Sequence, residues 1–180
     1  MAVTFNSSVN PKAKTELFKI YIQTGGTTAL PTYELQGRGV TSWSVDQGGD
    51  GISKENDVLG YVDMTRGIPQ PVQSGVQLYL RKDNVLSTIL MEAWMTGDFS
   101  KLDSLSILQK FEYIDGETTG SVVARKQDEC MITINSFNGE AGNDLNFDVD
   151  IHYSNKITMG QMTLEDASPI VFTPDEDDSE

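Results

Sequence analysis

The sequence predicts a mainly β protein, an antiparallel β-sandwich or barrel with one flanking α-helix. Two patterns carry this prediction. Residues 145–154 alternate strictly between apolar and polar side chains, which is typical of a strand with one buried and one solvated face. Only residues 83–97 show apolar side chains at helical spacing. Turn-forming dipeptides such as Asp115-Gly116 and Asn138-Gly139 separate further strand-like segments, which favours antiparallel neighbours.

The strands are expected wherever apolar residues alternate with polar ones between turn-forming residues. They span residues 17–22, 32–46, 58–65, 76–81, 105–114, 121–125, 131–137, 145–154 and 157–164. The segment Ser154-Asn155-Lys156 predicts a tight connection that pairs the last two long strands with each other.

The single helix is expected from Asp83 to Trp94. Leu86, Ile89, Leu90, Ala93 and Trp94 form one apolar stripe on it, so this face packs into the core. Asp83 or Asn84 can cap the start of the helix, and Gly97 can close its end.

Length and composition indicate one domain with an acidic surface. The chain has 180 residues and a formal net charge of -14, which argues against gripping nucleic acid because phosphate binding depends on Lys and Arg. One cysteine excludes an internal disulfide, and no apolar run is long enough to span a bilayer. We divide the chain into an N-terminal arm (1–15), a β domain (16–168) and an acidic C-terminal tail (169–180).

The polar face of the 145–154 strand holds the strongest candidate for chemistry. Asp148, Asp150 and His152 share that face, and a histidine beside carboxylates can bind a metal or transfer protons. Their spacing along a strand is too wide for a coordinating cluster, so a solvated acidic face is the favoured interpretation. No nucleophile or phosphate-loop motif occurs. We therefore expect no enzyme activity, no metal and no cofactor.

A long excursion, residues 46–73, interrupts the strand pattern. Its residues Asp46, Asp50, Gly51 and Asp57 match four positions of a calcium loop, but Gly48 offers no side-chain ligand and no helices flank the segment. A glycine-rich acidic turn explains it equally well. An excursion of this length in a small domain is usually functional, and its apolar residues either fold back or await a partner.

The order of these features resembles the major tail (tail tube) proteins of long-tailed bacteriophages. The resemblance covers about residues 16–165. It rests on the 46–73 excursion, on the block Ser74-Gly-Val-Gln-Leu-Tyr-Leu-Arg81 that leads into the helix, and on the closing strands with their acidic face.

The resemblance implies a virion protein whose hexameric rings stack into a tube with a negative lumen through which DNA slides. Asp148, Asp150 and His152 would then face the lumen. Seven residues of the excursion would contact the next ring: Asp46, Asp50, Val58, Leu59, Tyr61, Val62 and Met64. The implied partners are further copies of the chain and other tail proteins, such as the tape measure and the terminator. The resemblance implies no membrane partner. It places the protein in the virion tail after synthesis in the bacterial cytoplasm.

Two alternatives stay open, a related tube protein and a binding module from another class. The tube protein of a contractile injection machine shares the fold that the resemblance implies. An extracellular β-sandwich binding module would use its loops on glycans or calcium. The enzyme hypothesis, which depends on His152, ranks last.

Overall fold

The structure is a computed structural model that describes residues 4–5, 18–26, 31–36, 45–46, 52–56, 62–66, 71–139, 144–165 and 169–175. For 52–56 and 62–66 it describes the backbone path alone. The described residues form ten strands, one α-helix and a short 3-10 helix. In chain order these are β1 (Phe18–Gly26), β2 (Pro31–Gln36), β3 (Ile52–Asn56), β4 (Val62–Arg66), β5 (Val72–Tyr79), α1 (Val85–Thr96), the 3-10 helix (Ser100–Leu102), β6 (Leu105–Asp115), β7 (Ser121–Asn138), β8 (Asn146–His152), β9 (Lys156–Thr163) and β10 (Thr173–Pro174).

The mainly β fold class with one helix is confirmed, as a curled antiparallel sheet that forms a half-barrel. One path through the sheet runs β10-β9-β7-β6-β1-β2, and a branch runs from β7 through β8 to β5. β3 and β4 form a separate two-stranded antiparallel sheet inside the excursion.

The 18-residue strand β7 joins the two parts of the sheet. Its first part pairs with β6 and β9, and its second part pairs with β8. The strand turns at Glu129, which has a φ of 59°, a conformation that is uncommon for a residue with a side chain. Lys156 pairs with Glu129, and the Ser154 hydroxyl donates to the Asp128 carbonyl. These contacts hold the turn in place.

The predicted pairing of the last two long strands is wrong. Ile151 of β8 pairs with Ile132, and Met159 of β9 pairs with Arg125, so both strands follow β7 on the same side. Residues 153–155 therefore form a bend between β8 and β9, which continue one after the other along β7. They do not close a hairpin. The bend lies opposite the turn at Glu129, because paired strands must change direction together.

The main core lies between the curled sheet and α1. It includes Ile20, Ile22, Val76, Leu78, Leu86, Leu90, Ala93, Leu102, Leu105, Ile107, Cys130, Ile132, Phe147, Val149, Ile151 and Tyr153. The helix spans Val85–Thr96, two residues later than the predicted Asp83 to Trp94. Its caps are among those predicted: Asn84 accepts from the Ser87 amide at 2.6 Å, and Gly97 closes the helix with a φ of 71°. Trp94 departs from the predicted stripe because it is 46% exposed, although its ring contacts Phe137 and Phe147.

Both chain ends contact the domain within the described residues. Phe5 pairs with Ile114, so part of the predicted arm lies against the end of β6. Residues 169–175, assigned above to the acidic tail, include β10 and an apolar contact with the sheet. Residues 169–175 are therefore packed against the domain.

Candidate functional surface

The branch formed by β5, β8 and the second part of β7 presents one polar face to solvent. Burial along β8 alternates as the sequence predicts: Phe147, Val149 and Ile151 are buried, and the residues between them are partly exposed. We call the polar side of this branch the acidic face. It comprises Gln77, Thr133, Asn135, Asp148, Asp150 and His152.

Hydrogen bonds hold Asp150 and His152 of β8 in place. The Asp150 carboxylate accepts from the Gly75 amide at 2.8 Å. Gly75 lies at a register shift of β5 and has a φ of 68°, which glycine adopts readily. Asp150 therefore stabilises the irregularity in β5. His152 Nε2 lies 3.2 Å from the Thr133 hydroxyl.

Asp148 is the carboxylate of this face with the weakest described anchor. Its only described side-chain contact is with the Asn135 amide at 3.5 Å, the outer limit for a hydrogen bond. A residue held this loosely leaves its charge available to the solvent in front of the sheet. Asp148 is therefore the better residue for testing surface charge, because Asp150 also stabilises the register shift of β5 through the Gly75 amide.

The acidic face contains no cation. β5, β8 and residues 131–138 of β7 include no Lys or Arg. The lysines of the neighbouring strands are held in ion pairs elsewhere, as in Lys126 with Asp128 at 3.0 Å and Lys19 with Glu112 at 2.9 Å. Arg125 donates to Gln109 Oε1 at 2.8 Å. The sequence separates the charges along β7 itself, because Arg125 and Lys126 precede the turn at Glu129 and none follow it.

The base of the 46–73 excursion is closed and anchored. Asp46 and Val72 exchange two backbone hydrogen bonds of 2.9 Å. The Tyr153 hydroxyl donates to Gln73 Oε1 at 2.8 Å, and both side chains are buried. Burial raises the pKa of Tyr153 well above its usual value, so it keeps its proton. Alternation alone did not single out this pair as an anchor.

The structure describes only part of the predicted stacking residues. Val62 and Met64 lie on β4, which pairs with β3 in a regular antiparallel register. Asp46 lies at the closed base. Asp50, Val58, Leu59 and Tyr61, together with Gly51 and Asp57 of the calcium pattern, lie outside the described residues.

The surface of the described residues has no metal cluster and carries a large, open depression. Among the described residues, no group of three His, Cys, Asp or Glu side chains could hold a metal ion. An open depression of about 1120 Å³ beside the end of β5 is lined mainly by polar residues, including Arg81, Lys82, Asp83 and Asp144. Small-molecule sites are usually enclosed and mostly apolar, so this depression does not resemble one. No helix in the described part of the chain has the length and apolar character needed to cross a membrane.

Comparison with solved structures shows a similar fold in contractile machines. A chain from the structure of the sheath/tube terminator of the extracellular contractile injection system PVC, in the extended state, aligns with a TM-score of 0.53. Its identity is 11%, and the alignment covers 84% of this chain and 99% of that one. Because the identity is low, the similarity shows a shared fold.

Two further alignments have TM-scores below 0.5, which is too low to establish a shared fold. A chain of the PVC sheath-tube complex in the extended state aligns with a TM-score of 0.49 and 10% identity, over 87% of this chain and 98% of that one. A chain of the baseplate of the anti-feeding prophage AFP gives 0.47 and 8%, over 87% and 99%. No protein-family model and no curated protein sequence matches this chain.

Proposed function

We propose that this chain is a structural subunit of a phage-like tail tube, forming hexameric rings that stack around a DNA-conducting lumen. The acidic face carries this proposal. A surface with carboxylates and no cations repels DNA phosphates, whereas Lys and Arg would bind them and slow passage. The PVC terminator supports the proposal through its fold alone.

The edges of the branch suit a ring. Residues 131–138 of β7 pair only with β8 among the described residues. On the side of β5 away from β8, the described part of the chain pairs only at Val72, with Asp46. Open edges of this kind accept strands from another copy. β5 and β7 run in the same direction, because each is antiparallel to β8. A ring rotation would therefore join β7 of one copy to β5 of the next as a parallel pair, and such head-to-tail contacts close into rings.

The excursion suits contact with the next ring. Its described part is a hairpin, β3 with β4, and its base is held by Asp46, Val72 and the buried pair of Gln73 and Tyr153. A hairpin on a rigid base can contact a neighbour without a large entropy cost. We place the predicted contact residues Asp46, Asp50, Val58, Leu59, Tyr61, Val62 and Met64 in this interface.

Electron microscopy of the concentrated protein, combined with one pair of variants, tests the proposal. Hollow rings or tubes are the expected result, and Asp148→Lys should make the tubes retain short DNA in a salt-sensitive way. Asp103→Lys is the matched control, because Asp103 is exposed and lies outside the acidic face. Asp148→Asn separates loss of a carboxylate from gain of a cation. Equal DNA retention by the Asp148→Lys and Asp103→Lys tubes would argue against a lumen lined by Asp148.

The fold of the PVC terminator favours one variant of this proposal, a tube or terminator subunit of a contractile machine. In either variant the chain is non-catalytic and works without a cofactor. Its partners are further copies, the tape measure and the terminator, or a sheath in the contractile variant. It is made in the bacterial cytoplasm and resides in the tail. Co-purification of a sheath subunit with assembled tubes would distinguish the contractile variant.

A further inference from the structure

The last described residues, 169–175, lie across the outer edge of the sheet. We call them the strap. Within it β10 pairs with β9 through Thr173 with Gln161 and Pro174 with Gly160, and the Asp175 amide donates to the Met159 carbonyl at 3.1 Å. Among the described residues, the strap therefore covers the middle of β9.

Alternate residues of the strap anchor it to the sheet. Ile170 and Phe172 pack against a small apolar cluster of Tyr21, Leu108, Ala124 and Met162. Val171, between them, is 58% exposed. The strap thus binds like an added strand that uses every second side chain, a common mode of peptide recognition.

Gly160 lets the strap approach β9 closely. A Cβ placed on Gly160 would lie 2.7 Å from Phe172 Cζ and also meet the Thr173 carbonyl oxygen. Gly25 offers a contrast, since a Cβ there would meet nothing within 4 Å. Neither residue has a positive φ, so alanine fits the backbone at both positions. The strap position, not the strand geometry, requires glycine at 160.

The strap has the features of an edge that resists pairing. Pro174 has no amide hydrogen to donate, and the sequence continues with five acids among residues 174–180. Proline and charge on an outer strand are known protections against edge-to-edge association. Ile157 (46% exposed) and Met159 (37%) lie on the other face of β9 from Gly160 and Met162, so they stay exposed beside the strap.

We propose that the strap is a removable guard of β9: it blocks pairing of this edge with a second copy until the strap is displaced. The inference rests on the proposed function, because assembly supplies the second copy. We infer that the partner strand for the β9 edge comes from a second copy of this chain. The strap protects a long β edge, and the acidic residues that follow the strap in the sequence repel another equally acidic chain. Displacement of the strap exposes the edge.

Two pairs of full-length variants test the guard. Gly160→Ala pushes the strap off, with Gly25→Ala as its control. Phe172→Ser removes one anchor, with Val171→Ser as its control at the neighbouring exposed position. Hydrogen exchange in residues 159–161 and 169–175 reports release of the strap, and sedimentation with electron microscopy reports assembly.

We expect faster exchange in Gly160→Ala and Phe172→Ser, and discrete assemblies at about tenfold lower protein concentration than wild type, equivalent to roughly 1.4 kcal/mol. Both controls should match wild type. A synthetic peptide of residues 169–175 added in excess should reverse the effect.

The outcomes separate the guard from the proposed function. Unchanged exchange in Gly160→Ala overturns the role of the strap contact. If wild type forms tubes at a protein concentration equal to or lower than the strap variants need, the guard proposal is wrong and the tube proposal stands. Amorphous aggregates from the strap variants also overturn the guard. No assembly by any protein, at any concentration, overturns both.

Discussion

Tyr153→Phe should loosen the base of the 46–73 excursion. In the folded chain the Tyr153 hydroxyl donates to Gln73 Oε1 at 2.8 Å, and the side chains are 5% and 0% exposed. The Gln73 Nε2 atom already has no hydrogen-bond partner among the described residues. Removing the hydroxyl therefore leaves the whole buried amide of Gln73 without a side-chain partner.

The expected cost follows from desolvation. A buried polar group that loses its partner costs about 1–3 kcal/mol, and for a chain of this size each kcal/mol lowers Tm by about 2–4 °C. Tyr153→Phe should therefore lower Tm by about 2–12 °C. Because the Tyr153 amide also donates to the Pro71 carbonyl at 2.9 Å, the backbone anchor stays and the fold survives.

Urea and thermal unfolding of dilute protein measure this cost. Gln73→Met in the Tyr153→Phe background removes the stranded amide, so the double variant should recover part of the loss. Tyr113→Phe, at a partly exposed tyrosine of β6, is the control and should change stability by less than about 0.5 kcal/mol. If Tyr153→Phe is as stable as that control, or if the double variant is the less stable of the two, the anchor argument fails.

Three further changes follow from the described contacts. Asn84→Ala should cost about 1 kcal/mol in the free energy of unfolding, since it removes the helix cap, whereas Asp83→Ala should be close to neutral; urea titration tells them apart. Leu90→Ala, at a fully buried helix position, should cost about 2–5 kcal/mol, and a loss below 1 kcal/mol would contradict its place in the core. Burial raises the pKa of Cys130 from 9.0 to about 11; because the folded state then keeps the proton longer than the unfolded state, stability should be complete below pH 9 and fall by up to about 3 kcal/mol as pH rises to 11. Cys130→Ala should lose this part of the alkaline slope, and an unchanged slope in urea titrations across that range would contradict the assignment.

Local features of the fold were readable from the sequence because they depend on residues close together in the chain. The alternation of residues 145–154 predicted which side chains of β8 are buried, and the spacing around Leu86 and Leu90 predicted α1 with its caps at Asn84 and Gly97. The polar identity of Asp148, Asp150 and His152 was visible for the same reason. Their role in a lumen stays a prediction.

Pairing between distant segments was decided only by the tertiary structure. Residues 121–125 and 131–137 read as two strands, but they are one strand, because Glu129 turns the backbone without ending it. The sequence predicted a hairpin between β8 and β9, although both strands pair with β7. A bend and a tight turn use the same small polar residues, so residue type does not distinguish them.

The sequence by itself determined the strand and helix character of this protein, its acidity and the absence of cations from the segments that form the acidic face. Only the tertiary structure decided that these segments are neighbours, that Tyr153 anchors Gln73, and that residues 169–175 cover β9. The physical reason is that periodicity and capping report each residue's immediate surroundings. Pairing partners and close approaches such as Phe172 on Gly160 depend on how the whole chain packs.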